Sequence, residues 1–211
     1  MTDCCSHKES ELERLARQRD QRRVLIAVLA LNAVMFVLEF GAGVIANSAA
    51  LMADAVDMFG DAFVYGLSLY ALDRSFKWKA GAALVKGGLI LLFGLGVLVE
   101  IGARITSGVP PSSLLMLAFG GLALAVNLTC LSLLWRLRAQ DVNMSSTFEC
   151  SRNDVVANVG VLIAAAAVGF TGSAWPDIVI AVLIAAVFLR SAVRVISQAW
   201  AELGPATRRE V

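Results

Sequence analysis

Apolar residues occur in six long runs along the chain, and short polar stretches separate the runs. A helix that crosses the hydrocarbon core of a bilayer needs roughly 17–25 mostly apolar residues, which is close to the length of each run. We therefore predict an all-α membrane protein with six transmembrane helices. The predicted spans are about 24–46, 49–72, 80–105, 112–135, 146–170 and 177–199.

The breaks between the runs contain residues that favour turns or carry charge. Turn-forming residues occupy three of the breaks, at 47–48, 108–111 and 171–173. The charged stretch 73–79 and the polar stretch 136–145 separate the remaining runs. Pro176 suits the first turn of the sixth helix, and we expect Asp177 to be a favourable charge at that helix N-terminus.

The overall composition supports this class of protein and narrows its partners. Hydrophobic residues make up 58% of the 211 residues and the mean hydropathy is +0.74, whereas soluble domains are about 45–50% apolar even when Gly is counted. The formal net charge is +1, so we expect a lipid bilayer as the surroundings and no nucleic acid partner. The four cysteines do not form a disulfide framework, which fits a reducing cytosolic side.

Basic residues indicate the orientation of the spans. They are concentrated in the N-terminal stretch, in the second-to-third and fourth-to-fifth connections and near the C-terminus, whereas the opposite ends of the spans contain only Arg104. Because basic residues are retained on the cytoplasmic side, we predict that both termini are cytoplasmic. An even number of spans also requires the termini to share a side.

This pattern divides the chain into three parts. Residues 1–23 are predicted to form a charged cytosolic tail, residues 24–200 the six-helix transmembrane domain, and residues 201–211 a short cytosolic tail. We expect the N-terminal tail to be solvated and only partly ordered. The alternative for the tail is a short amphipathic helix at the membrane surface.

Three aspartates, Asp54, Asp57 and Asp61, lie inside the second apolar run. Their offsets of three and seven residues place them on one face of a helix. Ionised groups in hydrocarbon are costly unless they are paired, hydrated or bound to a cation. A cation is the simplest partner that relieves the mutual repulsion of three carboxylates. The competing interpretation, a loop or a segment among lipid headgroups, is disfavoured by the apolar residues on both sides.

The fifth run contains a similar arrangement. Cys150 and Asp154 are four residues apart on one helical face, and Asn158 lies one turn further along it. Two helices that each donate a pair of ligands at this spacing can present four ligands to one roughly tetrahedral ion such as zinc. For Cys150 the alternative is a small buried hydrophobic residue. The candidate metal ligands are Asp57, Asp61, Cys150 and Asp154, with Asp54 and Asn158 as secondary candidates.

The stretch from Asn47 to Asp61, NSAALMADAVDMFGD, resembles the second-helix signature of the cation diffusion facilitators. In that family the second helix carries His or Asp, three further residues and Asp, and Asp57 and Asp61 match those positions. The fifth helix of the family carries His or Asp at the first of two such positions and Asp at the second, where Cys150 and Asp154 stand. The resemblance covers roughly residues 22–200.

The resemblance implies a six-helix exporter that exchanges cytosolic zinc or related divalent ions for protons. The metal is then the transported substrate, no cofactor is implied, and the protein is not an enzyme. Protons and metal compete for the same carboxylate and thiolate atoms, so entering protons would expel the metal on the far side. We expect the membrane to be a bacterial inner or plasma membrane.

Two features depart from the family pattern. Cys150 stands where the family usually has an imidazole, and a thiolate favours Zn²⁺, Cd²⁺ or other thiophilic ions. The usual cytosolic C-terminal domain is expected to be absent, so that any homodimer would form through the membrane domain. These departures motivate an alternative function, a membrane metal sensor or binding protein that does not transport.

The N-terminal tail groups Cys4, Cys5 and His7. Two thiols and an imidazole could capture a thiophilic ion near the cytosolic mouth, although accidental clustering in a polar tail explains them as well. His7 is the sole histidine of the chain. An intramembrane metalloprotease with a His-Glu-x-x-His helix is therefore disfavoured.

Overall fold

The computed structural model describes residues 3–71, 76–138 and 142–203, and α-helices account for nearly all of them. The helices are α1 (Asp3–Ala46), α2 (Ala49–Ala71), α3 (Phe76–Ser107), α4 (Ser113–Trp135), α5 (Val142–Thr171) and α6 (Trp175–Leu203). Each predicted span coincides with one of these helices. The prediction of an all-α fold with six long helices is thus confirmed for the described residues.

Five of the helices contain a stretch that is long and apolar enough, by length and composition, to cross a membrane. These stretches are Arg19–Ala46, Gly88–Ser107, Ser113–Trp135, Ser151–Thr171 and Trp175–Arg194. Helix α2 has the same length as α4, 23 residues, but contains the three aspartates. Its acidic face therefore needs the other helices to separate it from lipid.

Helix α1 differs most from its predicted extent, because it begins at Asp3. The backbone of residues 3–23 is thus helical and continuous with the first span, whereas the sequence led us to expect a solvated, partly ordered tail with a short helix as the alternative. Helix α5 likewise begins at Val142, within the stretch predicted as a polar connection. A helix can continue beyond the apolar run because its backbone hydrogen bonds are made within the segment itself.

Three helices are followed by a residue in the left-handed region, at the positions where turn residues predicted a break. The residue directly after each helix has a positive φ: Asn47 (+63°) after α1, Gly108 (+63°) after α3 and Gly172 (+61°) after α5. The Gly108 amide donates to the carbonyl of Arg104 (3.1 Å), and the Gly172 amide donates to the carbonyl of Val168 (2.8 Å). These bonds satisfy carbonyl groups that a helix end otherwise leaves open.

Helix α2 lies at the centre of the bundle. It packs against α1, α3, α5 and α6 and also touches α4. Around it, α1 packs on α4 and α4 packs on α5, while α3 and α6 pair with each other. The first turns of α2 carry small buried side chains, which keep this part of the helix thin: Ala49, Ala50, Ala53 and Ala55.

A glycine in α1 allows α2 to approach closely. A Cβ atom on Gly43 would lie 2.7 Å from Cγ of Met52 and 3.0 Å from the Met52 backbone nitrogen. At Gly41, two residues earlier on the same helix, an added Cβ atom would meet no other atom within 4 Å. The packing of α1 on α2 therefore depends on the missing side chain at position 43.

A hydrogen-bond network joins α6 to α2 at the end of the bundle where α1 connects to α2. Asp177, near the start of α6, accepts hydrogen bonds from the Ser48 hydroxyl (2.6 Å) and from the amides of Ala49 (2.8 Å) and Ala50 (3.2 Å). The Ser48 hydroxyl in turn accepts a bond from the Leu51 amide (3.1 Å). Asp177 therefore stabilises the N-terminus of α2, a partner that the sequence pattern does not indicate.

Two further contacts connect α3 and α4 to the α1–α2 connection, at the end of the bundle where Asp177 lies. Arg104, in the last turn of α3, donates to the side-chain oxygen of Asn47 and forms an ion pair with Glu100. The Ser112 amide, before α4, donates to the carbonyl of Ala46 (2.8 Å). Since the α1–α2, α3–α4 and α5–α6 connections meet here, the free ends of α1 and α6 both lie at the opposite end of the bundle.

We expect Gly43→Ala to lower the thermal unfolding midpoint of the detergent-solubilised protein. The added methyl group collides with backbone as well as side-chain atoms of Met52, so α1 and α2 must separate. Gly41→Ala is the matched control, because it adds the same methyl group to the same helix in open space, and it should leave the midpoint unchanged or raise it slightly. Equal midpoints for the two variants would contradict the close approach at Gly43.

Asp177→Ala is expected to destabilise the protein more than Asp177→Asn does. Alanine leaves the Ser48 hydroxyl and two buried amides of α2 without their acceptor, at about 1–3 kcal/mol for each donor left unsatisfied. Asparagine keeps one side-chain oxygen as an acceptor. Glu149→Gln serves as a control in the same thermal unfolding assay, because Glu149 pairs with Arg152 (2.6 Å) at an exposed position where an ion pair contributes about 0–1 kcal/mol.

Candidate metal site

The three aspartates of α2 follow one face of the helix but reach different surroundings. Asp54 is 1% exposed and faces α1, Asp57 is half-buried, and Asp61 is 8% exposed and faces α5. Their spacing along the helix explains the separation, since seven residues correspond to about 10 Å of helix length. The stripe predicted from the sequence is therefore present, and its members do not all meet at one point.

Asp61 of α2 and Asp154 of α5 are predicted ligands from two different helices that come together. Their carboxyl groups lie within hydrogen-bonding reach of each other. Asp154 is 5% exposed, and Asp61 also accepts a hydrogen bond from the Tyr65 hydroxyl (2.9 Å). Two facing carboxyl groups in a membrane interior are stable together only if a proton or a cation separates their charges.

Asp57 lies beside this pair and borders a cavity. It is close enough to Asp154 for the two charges to interact. The cavity has a volume of about 490 Å³ and lies between α2, α5 and α6, with Asn153 and Gly160 of α5 also in its wall. Asp57 is thus the predicted ligand that borders a cavity, whose remaining wall is mostly apolar.

The remaining predicted ligands are described only in part. Cys150 lies in α5 one turn before Asp154, and its side chain is outside the described residues. The Asn158 amide donates to the backbone carbonyl of Asp154 (2.9 Å), while its own side-chain oxygen is buried and has no hydrogen-bond partner. The side chains of Cys4, Cys5 and His7 also lie outside the described residues, although the backbone there is part of α1.

Within the side chains that the structure describes, no three His, Cys, Asp or Glu residues are close enough together to hold a metal ion. The described contacts bring Asp61 and Asp154 together and place Asp57 within electrostatic range of Asp154. They direct Asp54 away, to Glu39 of α1. The four-ligand site that includes Cys150 stays a prediction.

Cys130 of α4 is a neighbour of this region that the sequence pattern does not reveal. Its thiol is free and buried, lies within electrostatic range of Asp61, and receives a long hydrogen bond from the Asn32 amide (3.9 Å). In the sequence Cys130 stands alone in an apolar run, where a buried hydrophobic role is the usual one. Only the contact of α2 with α4 shows that Cys130 lies near an acidic side chain.

The arrangement of long apolar helices around a central acidic helix is that of a multi-pass membrane protein with a polar interior. The sequence matches the cation efflux transmembrane domain over residues 25–203. The chain therefore belongs to the cation efflux family, whose members are transporters and not enzymes. This bears out the resemblance to the cation diffusion facilitators and the prediction of a multi-pass membrane protein.

Three relatives illustrate the match. The metal cation efflux system protein CzcD of Cupriavidus metallidurans is 29% identical over 174 residues, which are 77% of this chain and 55% of the relative. The cadmium, cobalt and zinc/H(+)-K(+) antiporter of Bacillus subtilis is 24% identical over 189 residues, 82% of this chain and 60% of the relative. The zinc transporter ZitB of Yersinia pestis is 26% identical over 211 residues, 93% of this chain and 67% of the relative.

The first of these relatives is matched over little more than half of its own length. The family match, residues 25–203, begins within α1 and runs to the end of α6. What the similarity covers is therefore the transmembrane domain.

Proposed function

We propose that this protein exports divalent metal ions from the cytosol in exchange for protons, with Zn²⁺ and Cd²⁺ as the favoured substrates and Co²⁺ as a further one. The observation that carries the proposal is the meeting of Asp61 and Asp154, from two different helices, inside the bundle. Membership of the cation efflux family supports transport. The relatives named as zinc transporter and as cadmium, cobalt and zinc antiporter support the choice of metals.

The proposed ligands are Asp57, Asp61, Cys150 and Asp154. Asp61 and Asp154 are the deepest of the described members, and Asp57 adjoins the cavity beside α5 and α6. Cys150 precedes Asp154 by one helical turn, so its thiolate can point to the same side of α5. A thiolate in the set favours Zn²⁺ and Cd²⁺ over Mn²⁺ and Mg²⁺.

Proton coupling follows from the chemistry of these ligands. A carboxylate or thiolate must be deprotonated to bind the metal, so binding from the cytosol releases protons. On the far side, protons that enter the site compete for the same atoms and expel the metal. Both termini are cytoplasmic in this proposal, with the Asp177–α2 network at the outer end of the bundle.

The surroundings of the protein are a lipid bilayer, which we propose to be a bacterial plasma membrane. A homodimer, if one forms through this domain, would use helix faces that are not occupied within the chain. Gly94 and Gly120 are used inside the bundle, against Leu189 and Val161, whereas Gly96 faces open space. Gly41 of α1 and Gly121 of α4 also border open space, so the outward faces around Gly41, Gly96 and Gly121 each offer a small-residue surface to a second copy.

The second candidate function is a membrane metal sensor or binding protein that does not transport. It is motivated by the fifth-helix motif, in which Cys150 stands where the family usually has an imidazole. Purified protein in liposomes separates the two functions. An exporter produces a proton flux across the membrane when Zn²⁺ or Cd²⁺ is added, whereas a sensor binds the metal and produces none.

Asp57→Ala is expected to abolish metal tolerance in a metal-sensitive bacterial host. The substitution removes the ligand that adjoins the cavity, so the site can no longer neutralise a divalent ion. Growth is measured across Zn, Cd, Co, Ni and Mn, with membrane levels of each variant checked by immunoblot. Asp20→Ala is the control, because Asp20 is an exposed acid of α1, and it should protect as well as the wild type. Protection by Asp57→Ala equal to that of the wild type would remove Asp57 from the site.

Cys150→His is expected to shift the metal profile in the same growth assay. Imidazole is a harder ligand than thiolate, so tolerance to Cd²⁺ should fall relative to tolerance to Zn²⁺ and Co²⁺. The ratio of the tolerated Cd²⁺ and Zn²⁺ concentrations is the quantity compared. A ratio that stays at the wild-type value shows that the thiol does not set the preference.

A further inference from the structure

A groove lies on the outer surface of the bundle, where α1 and α2 do not fill the space between them. Its volume is about 510 Å³ and the residues in its wall are all apolar, with Phe36 of α1 and Phe59 of α2 among them. A Cβ atom on Gly66, which also lines the groove, would meet only Cδ1 of Leu29 within 4 Å, at 3.9 Å. Val37 in the same wall is 66% exposed. The groove is therefore open towards the lipid that surrounds the bundle.

An arginine continues the stripe of α1 residues that borders this groove. Arg22, Leu29 and Phe36 are spaced by seven residues, which places them on nearly the same face of the helix. Arg22 is exposed and takes no part in the ion pairs of the described residues. Asp20 lies two residues before Arg22, so it is on a different face of α1. Within the described part of the chain, one end of the groove thus carries a positive charge that no acid balances.

The distance between this charge and the groove matches one leaflet of a bilayer. Arg22 and Phe36 are fourteen residues apart, which corresponds to about 21 Å of helix. Half of a bilayer, headgroups included, is about 20–22 Å thick. A phosphate group at Arg22 would therefore place the acyl chain of the same lipid alongside Leu29 and Phe36.

A second copy of this chain suits the groove less well than a lipid does. In a two-fold dimer within one membrane, the same surface of each copy meets at the interface. The two Arg22 side chains would then lie at the same depth and repel each other. An anionic headgroup supplies the opposite charge, and basic residues at the membrane surface attract such lipids.

We propose that the groove between α1 and α2 binds one anionic phospholipid, with its phosphate at Arg22 and an acyl chain against Leu29, Phe36 and Gly66. The lipid belongs to the leaflet at the N-terminal end of α1, which is the cytoplasmic leaflet in the proposed orientation. The site is built from residues outside the candidate metal ligands. It depends on the position of the chain in a membrane and is independent of metal export.

The experiment titrates the detergent-solubilised full chain, without metal, with phosphatidylglycerol or with phosphatidylcholine of identical acyl chains. Native mass spectrometry counts the lipids bound per chain at each concentration. The first phosphatidylglycerol should bind about fivefold more tightly than the first phosphatidylcholine, the effect of one basic residue on an anionic headgroup. Arg22→Gln should abolish this difference. Gly66→Leu fills the groove and should remove the first, tightest binding event for both lipids.

Each variant has a matched control. Arg194→Gln neutralises an exposed arginine of α6, a helix that does not pack on α1 within the described residues, and it should keep the preference for phosphatidylglycerol. Gly96→Leu makes the same glycine-to-leucine change on α3, where a Cβ atom meets nothing within 4 Å, and it should keep both lipids bound. Thermal unfolding checks that each variant is folded, and Arg22→Gln decides the outcome if Gly66→Leu is not.

Three results would overturn the proposal. An undiminished preference for phosphatidylglycerol in Arg22→Gln removes the headgroup from this position. Wild-type binding of both lipids by Gly66→Leu removes the acyl chain from the groove. A dimer mass that is present in the wild type and lost in Gly66→Leu shows that a second copy occupies the groove. None of these results bears on metal tolerance, so the proposed function stands or falls separately.

Discussion

The burial of acidic side chains in a helix that crosses hydrocarbon is the constraint on which the rest of this fold depends. Asp54 and Asp61 of α2 are nearly inaccessible, as are Glu39 of α1 and Asp154 of α5. In lipid these groups would be far more costly than any gain from helix formation. The helices are therefore arranged so that α2 is in contact with all five others and its buried acids, Asp54 and Asp61, face helices instead of lipid.

Two structural devices make this central position attainable. Small side chains at the start of α2 and Gly43 on α1 allow the backbones to approach, which shields Asp54 from the surroundings. Asp177 of α6 satisfies the first amides of α2, which have no partner within their own helix. The helix that carries the candidate ligands is thereby attached at one end to α6, while its acidic face contacts α1 and α5. Any movement that opens the Asp61–Asp154 pair would have to proceed around this attachment.

Much of the fold could be predicted from the sequence, because it depends on local properties. Apolar run length identified six spans, and Asn47, Gly108 and Gly172 marked the ends of three helices by their tolerance of positive φ. The extent of α1 was wrong, since charged residues before the first span continue the helix instead of ending it. Helical spacing placed the α2 acids on one face, and the motif on α5 supplied Asp154 as the partner of Asp61.

The sequence by itself determined where the six long apolar helices lie along the chain and which side chains carry chemistry, because periodicity and apolar length act within a segment. Only the tertiary structure decided which of those side chains meet. Asp54 shares a helical face with Asp61 yet pairs with Glu39, Cys130 lies within electrostatic range of Asp61, and Asp177 caps a helix remote in sequence. These pairings depend on how α1, α4, α5 and α6 are arranged around α2, and contacts between distant segments leave no periodic trace in a single sequence.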